Sequence, residues 1–568
     1  MKKSVVISLI ILVLSLLTSC NIIKPTPDST ANSNVEPKLE FELRGDQYYV
    51  VGIGENKISD IVEDGVLTIP ATYKDKSVVG IADGAFNGII MYDYNGETGD
   101  SIYFSVNIED GIRSIGKKAF ANCKGLNSVT LPSTLVEIGE EAFSCSGIES
   151  IDIPDSVSVL GEKAFYDCHS LKSVELSNSI LCIPDSAFAE CAGLVSVDNT
   201  DQLLEICNSA FKRCENLKNF NFGKSLTTIG DSAFYDCESL ESIVLPDSLT
   251  SLGKEAFILC MSVKEIHIGR GITKIPERAF ADLYSLEKLV IPDGITAIDS
   301  GAFDRLMVLN ELTIPKSVTY FEYCFNDTRK IENIYYGGTL EDWLNITFDS
   351  VGSSPLYYSS SAKLYLNGVA LEGDLVIPEG VTDIPDRAFE KYAYITSVSF
   401  PHDMKYIGDA AFYRCTGLKS VSFAGDVGVF GSQVFYGSSN IVSIDFGSKL
   451  SKTGDGMFSN CGDMEKLVIP SNVKVIGIHS FAHCDIGELI ISEGVEKIGS
   501  SAFAYGSISE IHLPSTIKII EIGAFRRVNK VYYNGTMEQW NKVDAYRWNE
   551  IYTAYYIHCL DGDIYVSP

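Results

Sequence analysis

Positive charge is scarce in this sequence. Its 568 residues hold 45 Lys and Arg against 75 Asp and Glu, a formal charge of −30. A general nucleic-acid binder needs clustered Lys and Arg against phosphate, so that class is excluded. Docking on anionic lipid through charge alone is excluded for the same reason. Long apolar runs are missing as well: the longest, Val5 to Leu17, is too short to span a bilayer, and no later segment is longer. Catalytic signatures are missing: there is no Gly-x-Ser-x-Gly, no zinc-ligand spacing and no phosphate-binding glycine loop. His479-x-x-x-His483-Cys484 has the residue types of a metal site. However, the two His flank Phe481 at variable outward positions while Cys484 points inward, so the set does not converge. Carboxylates are plentiful, but none has the singular context that pairs an acid with a base. No enzyme activity, cofactor or metal is expected. The chain is not short of apolar residues, which at 45% suffice for a buried core.

Lys2 and Lys3 precede the apolar Val5 to Leu17, which ends in Leu17-Thr18-Ser19-Cys20. That is the layout of a signal peptide over residues 1–19, and its end resembles the lipobox of bacterial lipoproteins. The resemblance implies diacylglycerol on the Cys20 sulfur, cleavage before Cys20 and acylation of the new amino terminus. Two or three acyl chains anchor stably where one is marginal. An ordinary signal peptide cut near Ser19 is the other reading. Residues 20–40 follow as a flexible tether, with Pro25, Pro27 and Pro37 among Ser, Thr, Asn and Asp.

What the chain has in abundance is repetition. Phe recurs at 120, 143, 165, 188, 211, 234, 257, 280, 303 and 325, in steps of 22 or 23. Phe86 is an earlier copy, set apart by an insertion near Met91 to Ser101, and the series resumes at 389, 412, 435, 458, 481, 503 and 525. Of these 18 copies, 14 have Ala before Phe. One copy runs Leu240, Ile243, Leu245, Pro246, Leu249, Leu252, Gly253, Ala256, Phe257, Cys260 through its recurring positions. Ile243 and Leu245 alternate about Val244, the period of a strand. Pro246 cannot donate to a ladder and ends it. Leu249 to Leu252 turns back, and the Gly-x-x-Ala-Phe run predicts a 3₁₀-type turn or irregular coil. One such coil cannot bury its own apolar side, so coils must stack.

The pattern L-x-x-I-x-I-P-x-x-(V/I/L)-x-x-(I/L)-G-x-x-A-F-x-x-C resembles the BspA-like leucine-rich repeat family of bacterial surface proteins, over roughly residues 41 to 566. The resemblance implies a β-rich leucine-rich-repeat solenoid, of the α/β horseshoe-like class with little helix. It also implies a surface protein that binds host matrix proteins or other cells. About 18 repeats of 22–23 residues fall into two arrays, each ending in a Trp-containing cap. N-terminal cap strands (Tyr48 to Val51, Val66 to Ile69) occupy 41–80, the first array with its cap 81–348, and a connector 349–374. The second array with its cap occupies 375–548, and a strand pair with an Asp561-Gly562 turn 549–568. The caps are matching segments, Tyr335-Tyr336 to Trp343 and Tyr532-Tyr533 to Trp540. Thr536-x-x-Gln539 fits a capping box and Thr339-x-x-Asp342 a weaker one. Each Trp is therefore expected on a short helix, as a plug over an exposed end of the core.

Nine Cys stand three residues after a repeat Phe, at 123, 168, 191, 214, 237, 260, 415, 461 and 484, and Cys145 is a shifted tenth. They read either as small buried thiols packed on one another or as disulfides or metal ligands. Coils about 4.8 Å apart fall within the Cα window of a disulfide. Parallel Cβ vectors do not face each other, though, and Leu283, Leu306 or Ser438 takes the place elsewhere, which favours free thiols. Arg44-Gly45-Asp46 is an integrin-type tripeptide, but it lies where a hairpin needs a Gly-Asp turn.

Within each strand the residue between the two inward positions faces out. That column reads Thr130, Asp152, Glu175, Asp198, Asn221, Val244, His267, Val290 and Thr313, then Ser399, Ser422, Asp445, Val468, Ile490 and His512. Asp152, Glu175 and Asp198 favour basic partners, while the Val and Ile positions offer apolar contact. The expected function is a lipid-anchored surface binding protein, adhesin-like. Its partners are proteins or glycans on host or microbial surfaces, with the bilayer reached through the acyl anchor only. A carbohydrate-capturing lipoprotein and a passive spacer are the alternatives, the former calling for exposed aromatics that this column lacks.

Overall fold

The computed structural model of the chain describes residues 38–56, 61–89, 103–545 and 556–565. The expected signal peptide, Cys20, the tether up to residue 37 and the insertion near Met91 to Ser101 lie outside them. From Leu39 onward the chain forms one unit, with a single apolar core running from Leu39 to Ile557.

Most coils feed three backbone ladders. The first joins the strands that carry the inward Ile or Val. Ser150–Asp152, Ser173–Glu175 and Ser196–Asp198, for example, pair in parallel and in register. The second joins two-residue strands such as Thr228–Ile229 and Ser251–Leu252, where the sequence reads only as a return. In the third, Phe N–H groups from Phe86 to Phe303 and from Phe389 to Phe503 donate to the next coil: Phe143 to the Ala164 carbonyl and Phe412 to that of Val434, both at 2.8 Å. The chain starts on these ladders at once. Gln47–Gly52 pairs with Lys76–Ile81 and Val66–Ile69 with Phe104–Ile108, so the expected N-terminal cap strands are first rungs. Rings of Phe41 and Tyr73, stacked at 4.0 Å, close that end.

The Ala-Phe run forms neither 3₁₀ helix nor loose coil. Residues two before and two after the Phe are left-handed, as Lys163 (φ 56°) and Asp167 (φ 60°) are about Phe165. That conformation costs a non-glycine residue about 1–2 kcal/mol. The cost is offset by bonds to the next coil, from Lys163 N–H to Asp185 O at 3.0 Å and from Asp167 N–H to Ala189 O at 2.8 Å. The glycine ahead of the run is required for another reason. A Cβ at Gly161 would lie 2.3 Å from Glu140 N, and one at Gly253 2.3 Å from Gly230 C, so coil meets coil there without room for a side chain.

Inside, the Phe rings stack along the axis. Phe86 to Phe325 follow one another at centroid spacings of 4.9–6.1 Å. Phe389 to Phe525 do so at 5.1–5.4 Å. This is the offset-stacked range for aromatic pairs.

The Cys column has a role that packing alone does not describe. All fourteen described cysteines are free, and each of the nine in register donates its S–H to the Phe carbonyl of the preceding coil. Cys191 reaches Phe165 O at 3.0 Å, Cys214 reaches Phe188 O at 3.2 Å and Cys484 reaches Phe458 O at 3.1 Å. In two of the coils that lack the thiol a hydroxyl substitutes: Ser438 donates to Phe412 O at 2.9 Å and Thr328 to Phe303 O at 2.8 Å. Leu283 and Leu306 fill the place elsewhere with an apolar side chain and no donor, so the bond accompanies packing there rather than defining the position. Burial pushes the Cys123 and Cys484 thiols up to about 12 from 9.0. A thiol pKa raised by folding stabilises the native state below the unfolded value and loses that contribution as pH rises. Denaturant unfolding is therefore expected to show stability holding to about pH 9 and falling steadily from there toward pH 12. Replacing Cys214, Cys237 and Cys260 together by Ser should flatten that decline.

Both Trp segments form one-turn helices, Leu340–Trp343 and Met537–Trp540, each with a complete capping box. Their settings differ from the expected plugs. Trp343 is fully buried, packs edge-on against Tyr336 at 5.3 Å, and donates its indole N–H to Ala388 O of the next array at 2.9 Å. The first array therefore has no exposed end: Trp343 seals a joint through which the core continues. Beyond it, Asn333–Tyr336 pairs with Lys363–Leu366, and Asn367 and Gly368, both left-handed, turn the chain into Val369–Ala370. The Trp540 segment is bonded to the hairpin of Tyr556–Cys559 and Gly562–Tyr565. There Leu560 N–H donates to Gly535 O at 3.0 Å, and Met537 N–H to the Asp561 carboxylate at 2.8 Å. The turn is centred on Leu560 and Asp561, since Cys559 already pairs with Gly562, so Gly562 lies in the strand. Trp343→Phe keeps an aromatic ring but leaves a buried carbonyl without its donor, which costs about 1–3 kcal/mol. Equilibrium denaturation should register that loss.

The strand column as candidate binding face

Parallel in-register pairing fixes where each outward side chain goes. Asp152, Glu175 and Asp198 occupy one rung series, and all three are exposed. Adjacent parallel strands lie about 4.8 Å apart, so three carboxylates stand side by side, an arrangement that like-charge repulsion opposes. Val244 pairs with His267. Val290 pairs with Thr313, and Ser399 with Ser422 and then Asp445. Ser422 Oγ donates to Ser399 Oγ at 2.9 Å. Val468, Ile490 and His512 form the last series. Val244, Val290 and Val468 are 54%, 46% and 41% exposed, large values for aliphatic side chains.

Asn221 departs from expectation. It is exposed, but no strand forms around it. In this coil Phe220 and Phe222 take positions that hold Ile and Leu elsewhere, and their rings pack among Phe211, Phe234 and Phe257. Asn221 O instead accepts from Thr200 Oγ1 at 2.6 Å, and its amide donates to Asp201 at 2.8 Å. The column is interrupted at that point.

Register also adds members. Thr68 and Asn107 precede Thr130, and Val376 precedes Ser399. Thr313 leads to Tyr335 and Tyr365, and His512 to Tyr532 and His558. The aromatics missing from the repeat Phe copies are therefore supplied by the Trp segments and the hairpins after them. Their duplicated Tyr-Tyr pairs were the available signal. Tyr335 stacks on Tyr365 at 4.8 Å, His512 on Tyr532 at 5.0 Å, and Tyr532 leans on His558 at 5.2 Å. The rings turn their faces to one another along the stack and present edges to solvent. A pyranose stacks on an open ring face, and these faces are turned toward neighbouring coils.

Next to the aromatic series runs a charged one on the same side of the sheet: Lys466, Glu488, Glu510 and Lys530 in register. Lys466 lies 2.7 Å from Glu488, and the hydrogen bond from Lys466 is the main cause that holds the Glu488 carboxyl below its ordinary range. His512 Nε2 lies 2.9 Å from Glu510. On the other flank a cleft of about 430 Å³ is lined by Glu493, Leu513, Pro514, Tyr533, Asn534 and Leu560, among others.

The other marked residues do not join this face. His483 stacks on Tyr505 at 4.8 Å while Cys484 bonds inward, so the His479 set does not converge. Arg44 and Gln47 pair across the Gly45-Asp46 turn, with Gly45 at φ 68°, and Arg44 bonds Glu42 at 2.8 Å.

Stacked coils of 22–23 residues with a leucine-rich inner surface define a leucine-rich-repeat solenoid. The family described as BspA type Leucine rich repeat region (6 copies) matches residues 101–218, 227–353, 367–486 and 452–550. The chain belongs to this family. Among solved structures it is similar to a leucine-rich repeat protein from Bacteroides ovatus, at 18% identity over 93% of this chain and 100% of that one, with a TM-score of 0.39. It is similar to a leucine rich cell surface protein from Faecalibacterium prausnitzii, at 19% identity over 91% and 98%, with a TM-score of 0.21. It is also similar to the pneumococcal vaccine antigen PcpA, at 17% identity over 92% and 97%, with a TM-score of 0.31. No curated protein matches it.

Proposed function

We propose that this chain is a bacterial cell-surface binding protein, held to the membrane by acyl chains on Cys20, that captures macromolecules on its strand face. The observation that carries this reading is the register of the outward column. Within each run of paired strands, one side of the solenoid presents acidic, apolar, hydroxyl or aromatic side chains at a spacing of about 4.8 Å. Such a surface suits an extended protein partner, which makes many modest contacts along it. The ring edges of the Tyr and His series support a protein partner over a glycan, because edges offer hydroxyl and imidazole hydrogen bonds whereas sugars stack on faces. No residue on this side is proposed to be catalytic.

Replacing Asp152, Glu175 and Asp198 together by Ser tests the acidic patch. At about 0.5 kcal/mol per exposed charge contact, affinity for a basic protein partner should fall about tenfold at low salt. Surface plasmon resonance against a panel of matrix and bacterial surface proteins reads the change, and unaltered binding throughout would remove the patch from the binding face. The anchor is tested separately. Cys20→Ala should move the protein from the membrane fraction to the soluble one, and its retention on membranes would refute acylation as the attachment.

A further inference from the structure

Two cysteines stand outside the inward column. Cys182 and Cys207 lie on adjacent coils with their Sγ atoms 3.2 Å apart, and both are half-buried. Each breaks the habit of its own position. Cys182 occupies an outward place in the two-residue strands that holds Glu137, Val159, Glu205, Thr228 and Ser251 in neighbouring coils. Cys207 stands where Gly161, Gly230 and Gly253 stand, the place of closest approach between coils. Two different positions thus each acquire a Cys, on adjoining coils, and the two sulfurs meet. Glu205, which pairs directly with Cys182 in the ladder, brings a carboxylate within 4.8 Å of both sulfurs.

We propose that Cys182, Cys207 and Glu205 form a site for a thiophilic divalent cation of the Zn²⁺ or Cd²⁺ class, with water completing the coordination. A disulfide fits less well. Cys207 lies two residues along the strand from the partner of Cys182, so regular parallel-strand spacing separates the α-carbons by about 8 Å. A disulfide reaches about 7 Å. A metal ion spans the gap. Tetrahedral coordination at a metal–sulfur distance of about 2.3 Å needs sulfurs about 3.8 Å apart, a small opening from the observed contact. The charges nearby agree with this choice. Glu205 and Asp185, whose carboxylate accepts the Asn208 N–H at 2.9 Å, set negative charge beside the sulfurs, which a cation would offset. Binding converts two thiols to thiolates and releases two protons, so affinity rises with pH. The buried column thiols, engaged with Phe carbonyls, are not available as competitors.

Titrating the reduced, purified full chain with Cd²⁺ tests the site. One equivalent per chain should bind, giving an ultraviolet sulfur-to-cadmium charge-transfer band that Zn²⁺ displaces. Cys207→Gly restores the residue that neighbouring coils use and should fold normally by circular dichroism, yet the band should vanish. Cys182→Ser should abolish it as well, and Glu205→Gln should weaken Cd²⁺ binding at least tenfold. Cys145→Ser, at a half-buried thiol two coils further back, should leave it unchanged. Absence of the band in the parent protein would overturn the site, as would its persistence in folded Cys207→Gly. A peptide map showing Cys182 joined to Cys207, with the mass lower by two hydrogens, would replace the metal by a disulfide.

Discussion

Coil-to-coil hydrogen bonding at strand spacing is the constraint on which the rest of this structure depends. Once three backbone ladders hold successive coils in register, every side chain must meet its own counterpart one coil away. Residues that gain from meeting themselves are then favoured at each place. Phe rings stack, as from Phe143 to Phe165 at 5.3 Å. Thiols and hydroxyls donate a hydrogen bond to the carbonyl behind them. At the tightest approaches, such as Gly161 and Gly253, even a methyl group is excluded. Where the counterpart is unwelcome, as with Asp152, Glu175 and Asp198, the ladder enforces a proximity that free side chains would avoid. Repulsion held in place by backbone bonds is a reasonable mark of a surface kept for something other than stability.

Much of this was legible in the sequence, because a period of 22–23 residues reports register directly. The alternation of Ile243, Val244 and Leu245 identified the outward column, and the same spacing located the inward Cys. The parts that escaped are those a period does not encode. Left-handed geometry at Lys163 and Asp167 carries no residue signature, since Lys, Asp, Ser, Arg and Tyr all occur there. The role of Cys191 became visible only with its neighbour's carbonyl in view. The break at Asn221 occurs in the coil where Phe220 and Phe222 pack among Phe211, Phe234 and Phe257, a feature the spacing does not report. The aromatic members of the face lay in the Trp segments and hairpins, where the counting of repeat Phe residues stops.

Cys182 and Cys207 illustrate the same lesson from the opposite side. In a chain made of copies, departures from the pattern are informative when they coincide in space. Neither residue is unusual alone. Their adjacency depends on knowing that position 182 sits beside 205, and therefore near 207, which the parallel register supplies.

The Trp343 joint bears on how such a molecule acquires its length. The same helical turn closes one array against a hairpin and splices another to a fresh stack, where the Trp343 indole N–H meets the arriving backbone. A terminus that doubles as a connector lets one array follow another in a single chain, while the core at the seam stays dry.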